Sequence, residues 1–566
     1  MAGRARRPVY DAHHLDIGFL PGVRPYLVTL LATTPSPFAP ELGGRPAGVE
    51  DPGEVPAAGL DVAGLTGRIV PFPVAAGRYG KLRAVIAGVM WLELPRAGEL
   101  GEAMLGADEE HPTRLVRYDL AQRKRSVEVA ALDDYAVCAD GSWLAYQTGG
   151  TLEIKPAGEP AEKAVGVDLD RIQVTVEPAA EWRQMYHETW RLMRDNFWRA
   201  DMGGVDWAAA GDRYRPLLDR LGSADDLRDV LRELQGEMRT SHAGVLPPAA
   251  GGDPALAQGL LGADIEPTGD GAWRIARILP GESSVIGARS PLAAPGVAVA
   301  PGDLLVAVDG RPVDPDVGPN ALLSGQADKP VELTVQRDGA DRRVVVVPLA
   351  SEHATRYYDL VARQRAAVRE ASGGRLGYLH ILGTNPAGWA ELHRDLYTEF
   401  GRDGLIVDMR ESQGGDASHL VAEQLARRII GCYVSRHEEP SSYPFEAPRG
   451  PIVAITDEYA MSGGDIVIQA LKSYRIATVV GTRTWGGVIG CYFNVLVDGT
   501  LVTQPASALW LADVGWAVEN HGADPDVEVA IAPHDWAADR DPQLDTAVRL
   551  ALQALEQHPP AQPPTV

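Results

Sequence analysis

The sequence predicts a multidomain chain of mixed class, α/β plus β, and three observations carry that prediction. At 566 residues it is long enough to bury several separate cores. Its first third consists of short β-like runs punctuated by turn residues. Strand and helix patterns alternate through its last third, the mark of a layered α/β domain.

The β region spans residues 1–172. Arg24–Leu31, the stretch Lys81–Leu94, Arg114–Leu120, Asp140–Tyr146 and Gly150–Ile154 read as strands, with turns such as Asp140-Gly141 between them. This spacing suits propeller blades of about 40–45 residues, so roughly three would fit. Three do not close a ring, which leaves a partial β-propeller-like region or a small open sheet.

Composition shifts near Val176-Glu-Pro178, and residues 175–250 read as helical. Trp182, Met185, Tyr186, Trp190, Met193 and Phe197 recur at helical spacing and predict a helix with one apolar face, a core rather than a cofactor box. A second helix starts at Ser223, with Asp226 three residues on as its capping partner. It carries Leu227, Val230, Leu231, Leu234 and Met238, and ends at Arg239-Thr-Ser-His-Ala-Gly244.

Residues 255–350 form another unit. Gly259-Leu-Leu-Gly-Ala-Asp264 opens it, and Gly302–Val313 holds a strand followed by an Asp-Gly turn. These segments resemble a PDZ domain of the protease-associated kind. The resemblance implies a loop whose amides could take a peptide carboxylate. Whether this PDZ-like domain binds a peptide or is a rigid spacer stays open at this level.

In residues 352–556, Leu405–Met409 is a strand, Gln413-Gly-Gly415 a turn and Ser418–Ile430 a helix; Pro451–Leu471 repeats that plan. The Pro-rich tail 557–566 is expected to be disordered.

Bulk properties narrow the function. A net charge of −24 argues against a nucleic-acid backbone as partner. No apolar run approaches a membrane span, and the basic start Arg4–Arg7 lacks the apolar core of a secretory signal. Cys138, Cys432 and Cys491 lie far apart without metal-ligand spacing, which suits a reducing compartment. The expectation is a cytoplasmic protein with no metal and no cofactor.

The chemistry concentrates at Asp457-Glu-Tyr-Ala-Met-Ser-Gly-Gly-Asp465, a small-residue turn between a buried strand and a helix. A serine there exposes its hydroxyl, and the Gly463 amide at the helix start favours a developing negative charge. The plainer reading of Ser462 is an ordinary N-cap. Two strand–turn–helix units in one parallel sheet would bring both turns to its carboxyl edge, setting Gly414–Gly415 near Ser462. The Gly415 amide could then face that of Gly463 as a second oxyanion donor. A serine nucleophile also needs a base. Lys472, the only lysine after Ser462, lies about 15 Å along the helix, too far to serve. His242, His419 and His521 remain, and spacing does not choose among them.

Taken together, Gly236–Ala243, Asp408–Gly415, Glu458–Asp465 and Val518–Asp526 resemble, in this order around the PDZ-like insert, the tricorn protease family. The resemblance covers residues 175–535, and the preceding β region looks like the end of that family's second propeller, most of the N-terminal propeller region being without a counterpart. It implies a serine peptidase of short peptides, with Ser462 as nucleophile and His242 as general base and later acid. Ser241 and Glu519 would orient the imidazole, Gly463 and Gly415 would form the oxyanion hole, and Gly414, Gly415 and Asp416 would line the substrate strand. It further implies a homo-oligomer, a hexamer. A catalytically idle peptide-binding or assembly protein and an esterase-like hydrolase are the competing readings. The chain departs from the family pattern in three places. Gly463 stands where the family has an acid, and the turn Ser412-Gln-Gly-Gly-Asp416 has one glycine fewer. The stretch Ile430–Ser435 lacks the specificity-setting acid, which moves the search to Glu438 or Glu439.

Overall fold

A computed structural model describes residues 24–34, 36–38, 59–95, 104–105, 112–248, 252–282, 285, 287–437 and 440–562. Two compact units emerge, one within Met1–Ala97 and Glu109–Thr175, the other within Gly98–Asp108 and Val176–Val566.

The first unit is all β. Tyr79–Val85, Gly88–Glu93, Arg114–Asp119 and Lys124–Val129 form one four-stranded antiparallel meander; Asp134–Val137, Trp143–Thr148, Thr151–Pro156 and Val165–Val167 form a second. Each is one propeller blade in size and plan. Two four-stranded sheets and a two-stranded pair therefore replace the expected three blades or so, and no ring closes among the described residues. The N-terminal sheet packs Trp91, Tyr118 and Phe72, all nearly inaccessible, in edge-on contacts 5.2–5.7 Å apart around Phe72.

In the second unit, Pro178–Asn196 and Ala224–Gly236 are the helices read from the apolar spacing. Met185, Tyr186 and Met193 meet Leu227, Leu231 and Leu234 in one buried cluster, so the aromatic stripe is core. Ser223 accepts from the Asp226 amide at 3.1 Å and the Asp226 carboxylate accepts from the Ser223 amide at 3.1 Å, closing a capping box. Ser223→Ala is expected to cost about 1 kcal/mol, read as a lower urea midpoint at unchanged slope.

The PDZ-like part is an antiparallel sheet running Ala263–Pro267, Trp273–Ile278, Leu304–Val308, Val331–Arg337, Ala340–Val346. Its opening loop already spends its amides internally. Gly259 donates to the Leu323 carbonyl, Leu260 to that of Leu349 and Gly262 to Glu352 Oε1. Those three amides are occupied, which favours the spacer over the carboxylate clamp.

The remaining core is a five-stranded, wholly parallel sheet in the order Leu376–His380, Gly404–Asp408, Ile452–Thr456, Ala477–Gly481, Val527–Glu528. Side chains alternate between its faces. Tyr378, Ile406, Val453 and Val480 pack with helices His353–Ala371 and Pro542–Gln557; Leu379, Val407, Ala454 and Val479 pack with Pro386–Glu399, Ser418–Leu425 and Gly463–Ser473. Both strand–turn–helix units therefore open on the carboxyl edge.

Two expectations need correction. The helix from Ser418 stops at Leu425 rather than Ile430, because the Ile430 amide is drawn to the Tyr443 carbonyl and Gly431–Tyr433 pairs with Ser441–Tyr443. Nor is the tail uniformly disordered: the Ala561 amide donates to the Arg449 carbonyl at 2.8 Å and the Arg449 guanidinium donates back to the Ala561 carbonyl. Residues 563–566 lie outside the described residues.

Candidate active site

Ser462 stands between Thr456, where its strand ends, and the helix Gly463–Ser473, with φ 54° and ψ −111°. That backbone is unfavourable for a side-chain-bearing residue and marks a position held by its surroundings. Its hydroxyl caps no helix amide, so the ordinary N-cap reading fails. What holds the turn is backbone: Met461 N–H donates to Ser412 O at 2.9 Å and Gly464 N–H to Met461 O at 2.8 Å.

The glycine turn lies directly against it. A methyl group on Gly414 would sit 2.7 Å from Ser462 Cβ, and one on Gly463 would sit 2.9 Å from the Gly415 nitrogen. Gly415 itself has φ +134° and no room for a side chain, since a Cβ would fall 2.4 Å from the Asn385 nitrogen. Thr384 fastens the turn from the neighbouring loop. Its amide donates to Gly414 O, its hydroxyl to Gly415 O at 3.0 Å, and its carbonyl accepts from Ala417 N–H. Asp416 stands exposed beside the turn, where its charge adds to burial in pushing the Cys491 thiol up.

Thr384 also explains the departure at position 463. A Cβ there would fall 2.1 Å from Thr384 Oγ1 and 2.6 Å from Gly415 O. An acidic side chain has no space in this chain, whereas the amide remains at the first helical position, where amides lack an intrahelical partner.

His242 follows the helix Ala224–Gly236 and adopts φ 57°. Thr503 enforces that geometry: its hydroxyl donates to His242 O at 2.6 Å and accepts from Gly244 N–H at 2.7 Å. The following strand Val245–Leu246 pairs with Leu501–Val502, anchoring the segment across the sheet. His242 Nδ1 lies 3.0 Å from Ser241 Oγ, which lies 3.0 Å from Glu519 Oε2. The glutamate further accepts from Ser241 N–H at 2.7 Å, from Thr240 Oγ1 at 3.0 Å and from Val488 N–H at 3.0 Å. With Nδ1 engaged, Nε2 is the nitrogen left to exchange a proton with a neighbour. Burial holds the imidazole below its usual pKa, with Glu519 and then Asp465 pulling it upward. Ser462 Oγ and the His242 ring are not hydrogen-bonded to each other; such pairs commonly tighten with substrate in place.

The other candidate bases fall elsewhere. His419 is exposed on its helix. His521 Nε2 pairs with Asp524 at 2.9 Å, and its ring faces Arg483 in a polar cleft of about 870 Å³ bounded by Glu458, Trp485 and Asn520. Lys472 is tied to Asp526 at 3.1 Å. Glu438 and Glu439 lie outside the described residues. Thr240, Thr384, Thr503 and Asp465 went unnoticed in the sequence, because nothing in local pattern marks a polar residue whose partner is more than a hundred residues away or on a separate loop. Among the described residues no group of three or more His, Cys, Asp or Glu side chains could hold a metal ion. No helix among them is long and apolar enough to cross a membrane.

Residues 375–529, which hold the parallel sheet with the serine turn and the glycine turn at its carboxyl edge, match the Peptidase family S41 model. Residues 259–351 match the Tricorn protease PDZ domain and residues 178–236 the Tricorn protease C1 domain. The chain belongs to the tricorn protease family. It is 53% identical to Tricorn protease homolog 1 of Streptomyces coelicolor, an alignment covering 100% of this chain and 54% of that protein. It is 31% identical to the tricorn protease of Thermoplasma acidophilum, over 98% of this chain and 51% of that one. A crystal structure of the tricorn protease superposes with TM-score 0.82 at 30% identity, covering 94% of this chain and 51% of the other. The chain thus spans about half the length of the curated relatives it matches.

Proposed function

We propose that this chain is a serine peptidase hydrolysing short peptides through an acyl-enzyme. The observation that carries the reading is Ser241 Oγ, placed 3.0 Å from both His242 Nδ1 and Glu519 Oε2. Such a relay has little purpose unless the far nitrogen of the ring takes a proton. In this reading Ser462 Oγ attacks the peptide carbonyl carbon while His242 Nε2 removes its proton. The Gly463 and Gly415 amides receive the oxyanion, and Glu519, acting through Ser241, favours the imidazolium. Collapse breaks the C–N bond as the imidazolium protonates the leaving amine. Water, deprotonated by the same ring, then releases the acid.

Gly414, Gly415 and Asp416 line the substrate strand in this proposal. A cytoplasmic setting fits three free thiols, and a hexamer fits the family. An idle binding protein accords poorly with a relay complete to its glutamate, while an esterase would use the same groups.

The test is turnover of a small panel of peptides and matched esters, with an active-site fluorophosphonate mapped by peptide mass spectrometry. Steady peptide cleavage with the label on Ser462 is expected. Binding without turnover would favour the idle form, and ester turnover alone the esterase. Since the base must be neutral to act and burial lowers its pKa, the acid limb of kcat/KM is expected below the ordinary 6.5 of histidine. A limb above 6.5 would speak against His242.

A further inference from the structure

We infer that Asp465, through the strap Thr484–Val488, is a positioning residue that holds the nucleophile's turn and the base in register; the inference rests on the serine-peptidase reading above. Asp465 is wholly buried three residues past Ser462. Its carboxylate accepts from the Thr484 hydroxyl, from Gly486 N–H at 2.8 Å and from Gly487 N–H at 3.2 Å. Thr484 Oγ1 in turn accepts from Ala523 N–H at 2.7 Å, so its own proton is directed at the carboxylate. Burial raises the carboxyl above its ordinary pKa, and the three donors on its two oxygens work the other way, favouring the ionised form.

The strap reaches the base on its other side. Trp485 N–H donates to Ala460 O at 3.1 Å, two residues before Ser462, and the Trp485 ring meets the His242 ring edge-on with centroids 5.8 Å apart. A Cβ on Gly487 would sit 3.1 Å from Ser241 Cβ. Val488 N–H donates to Glu519 Oε2, and Gly486 O accepts from Asn520 N–H at 2.8 Å. Five consecutive residues are therefore stitched to the Ser462 helix at one end and to the Ser241–His242–Glu519 relay at the other. Asp465 is the one charged group among those stitches on the serine side. Glu519 and Asp465 are the two charged groups acting on the imidazole. Asp465 is thus both tie and distant counter-charge, touching no reacting atom.

The test uses the full chain with Asp465→Asn, Thr484→Val and Thr484→Ser. For Asp465→Asn, kcat is expected to fall by ~10²-fold, the scale of a misplacement near 1 Å, with KM within about twofold. The acid limb of fluorophosphonate labelling should also move to lower pH, as one of two charges favouring imidazolium is gone; a purely structural defect would leave that limb in place. Thr484→Val removes a tie but keeps the charge, so kcat falls with the limb unmoved, and Thr484→Ser restores most of the rate. An unmoved limb in Asp465→Asn, or wild-type kcat in Thr484→Val, overturns the inference. Should the asparagine variant fail to fold, the Thr484 pair decides alone. Failure of the peptidase reading is separate: wild-type protein would then carry no label on Ser462.

Discussion

Ser462→Ala is expected to lower kcat for peptide cleavage by about 10⁶-fold, the scale seen when a hydrolytic serine is removed from an intact site. The substitution deletes one oxygen and keeps the Cβ, so the turn at φ 54° is retained by the same backbone bonds from Met461 and Gly464. The hydroxyl caps no amide, and its loss should leave thermal stability almost unchanged. Activity and stability therefore separate cleanly. Fluorophosphonate labelling should vanish while peptide binding, measured by calorimetry, persists. Retained labelling would remove Ser462 from the mechanism.

Gly463→Ala is the second large effect, expected to cost about 10²- to 10³-fold in kcat, the range for losing one oxyanion donor. The methyl group would enter space held by Thr384 Oγ1 at 2.1 Å and by Gly415 O at 2.6 Å. The threonine can rotate away, but only by giving up its bond to Gly415 O. The backbone carbonyl has no such freedom, so the serine turn and the glycine turn must part. Circular dichroism should remain native, and a transition-state analogue should lose affinity in proportion to kcat. Wild-type kcat with native spectra would show that the two turns need not touch.

How far the sequence foretold these features depended on whether a feature was local. The Ser223–Asp226 box, the aromatic stripe from Met185 to Met193 and the two strand–turn–helix units are written within a few turns of chain, and each is found where expected. Ser462 stood out for the same reason, lying between an apolar run and a helix. The proposed base did not: His242 becomes distinguishable from His419 and His521 only through Glu519, 277 residues later than His242, and through Thr503, which fixes its backbone. The family resemblance supplied that choice where spacing was mute. The helix end at Leu425 was missed because a hairpin bond to Tyr443 outweighs the propensity of Arg427–Ile430. Asp465 and Thr484 escaped notice because a buried carboxylate wrapped in donors looks, in one dimension, like any acid in a first helical turn.

The order in which the polypeptide is made has a consequence of its own. Val245 lies beside Val502, and the imidazole-bearing segment leaves the ribosome long before the glutamate that orients it. Between them the chain must complete an inserted β module and most of a parallel sheet, contacts of long sequence separation that form late. A growing chain would thus carry Ser462 and His242 without the completed Ser241–Glu519 relay until Glu519 emerges.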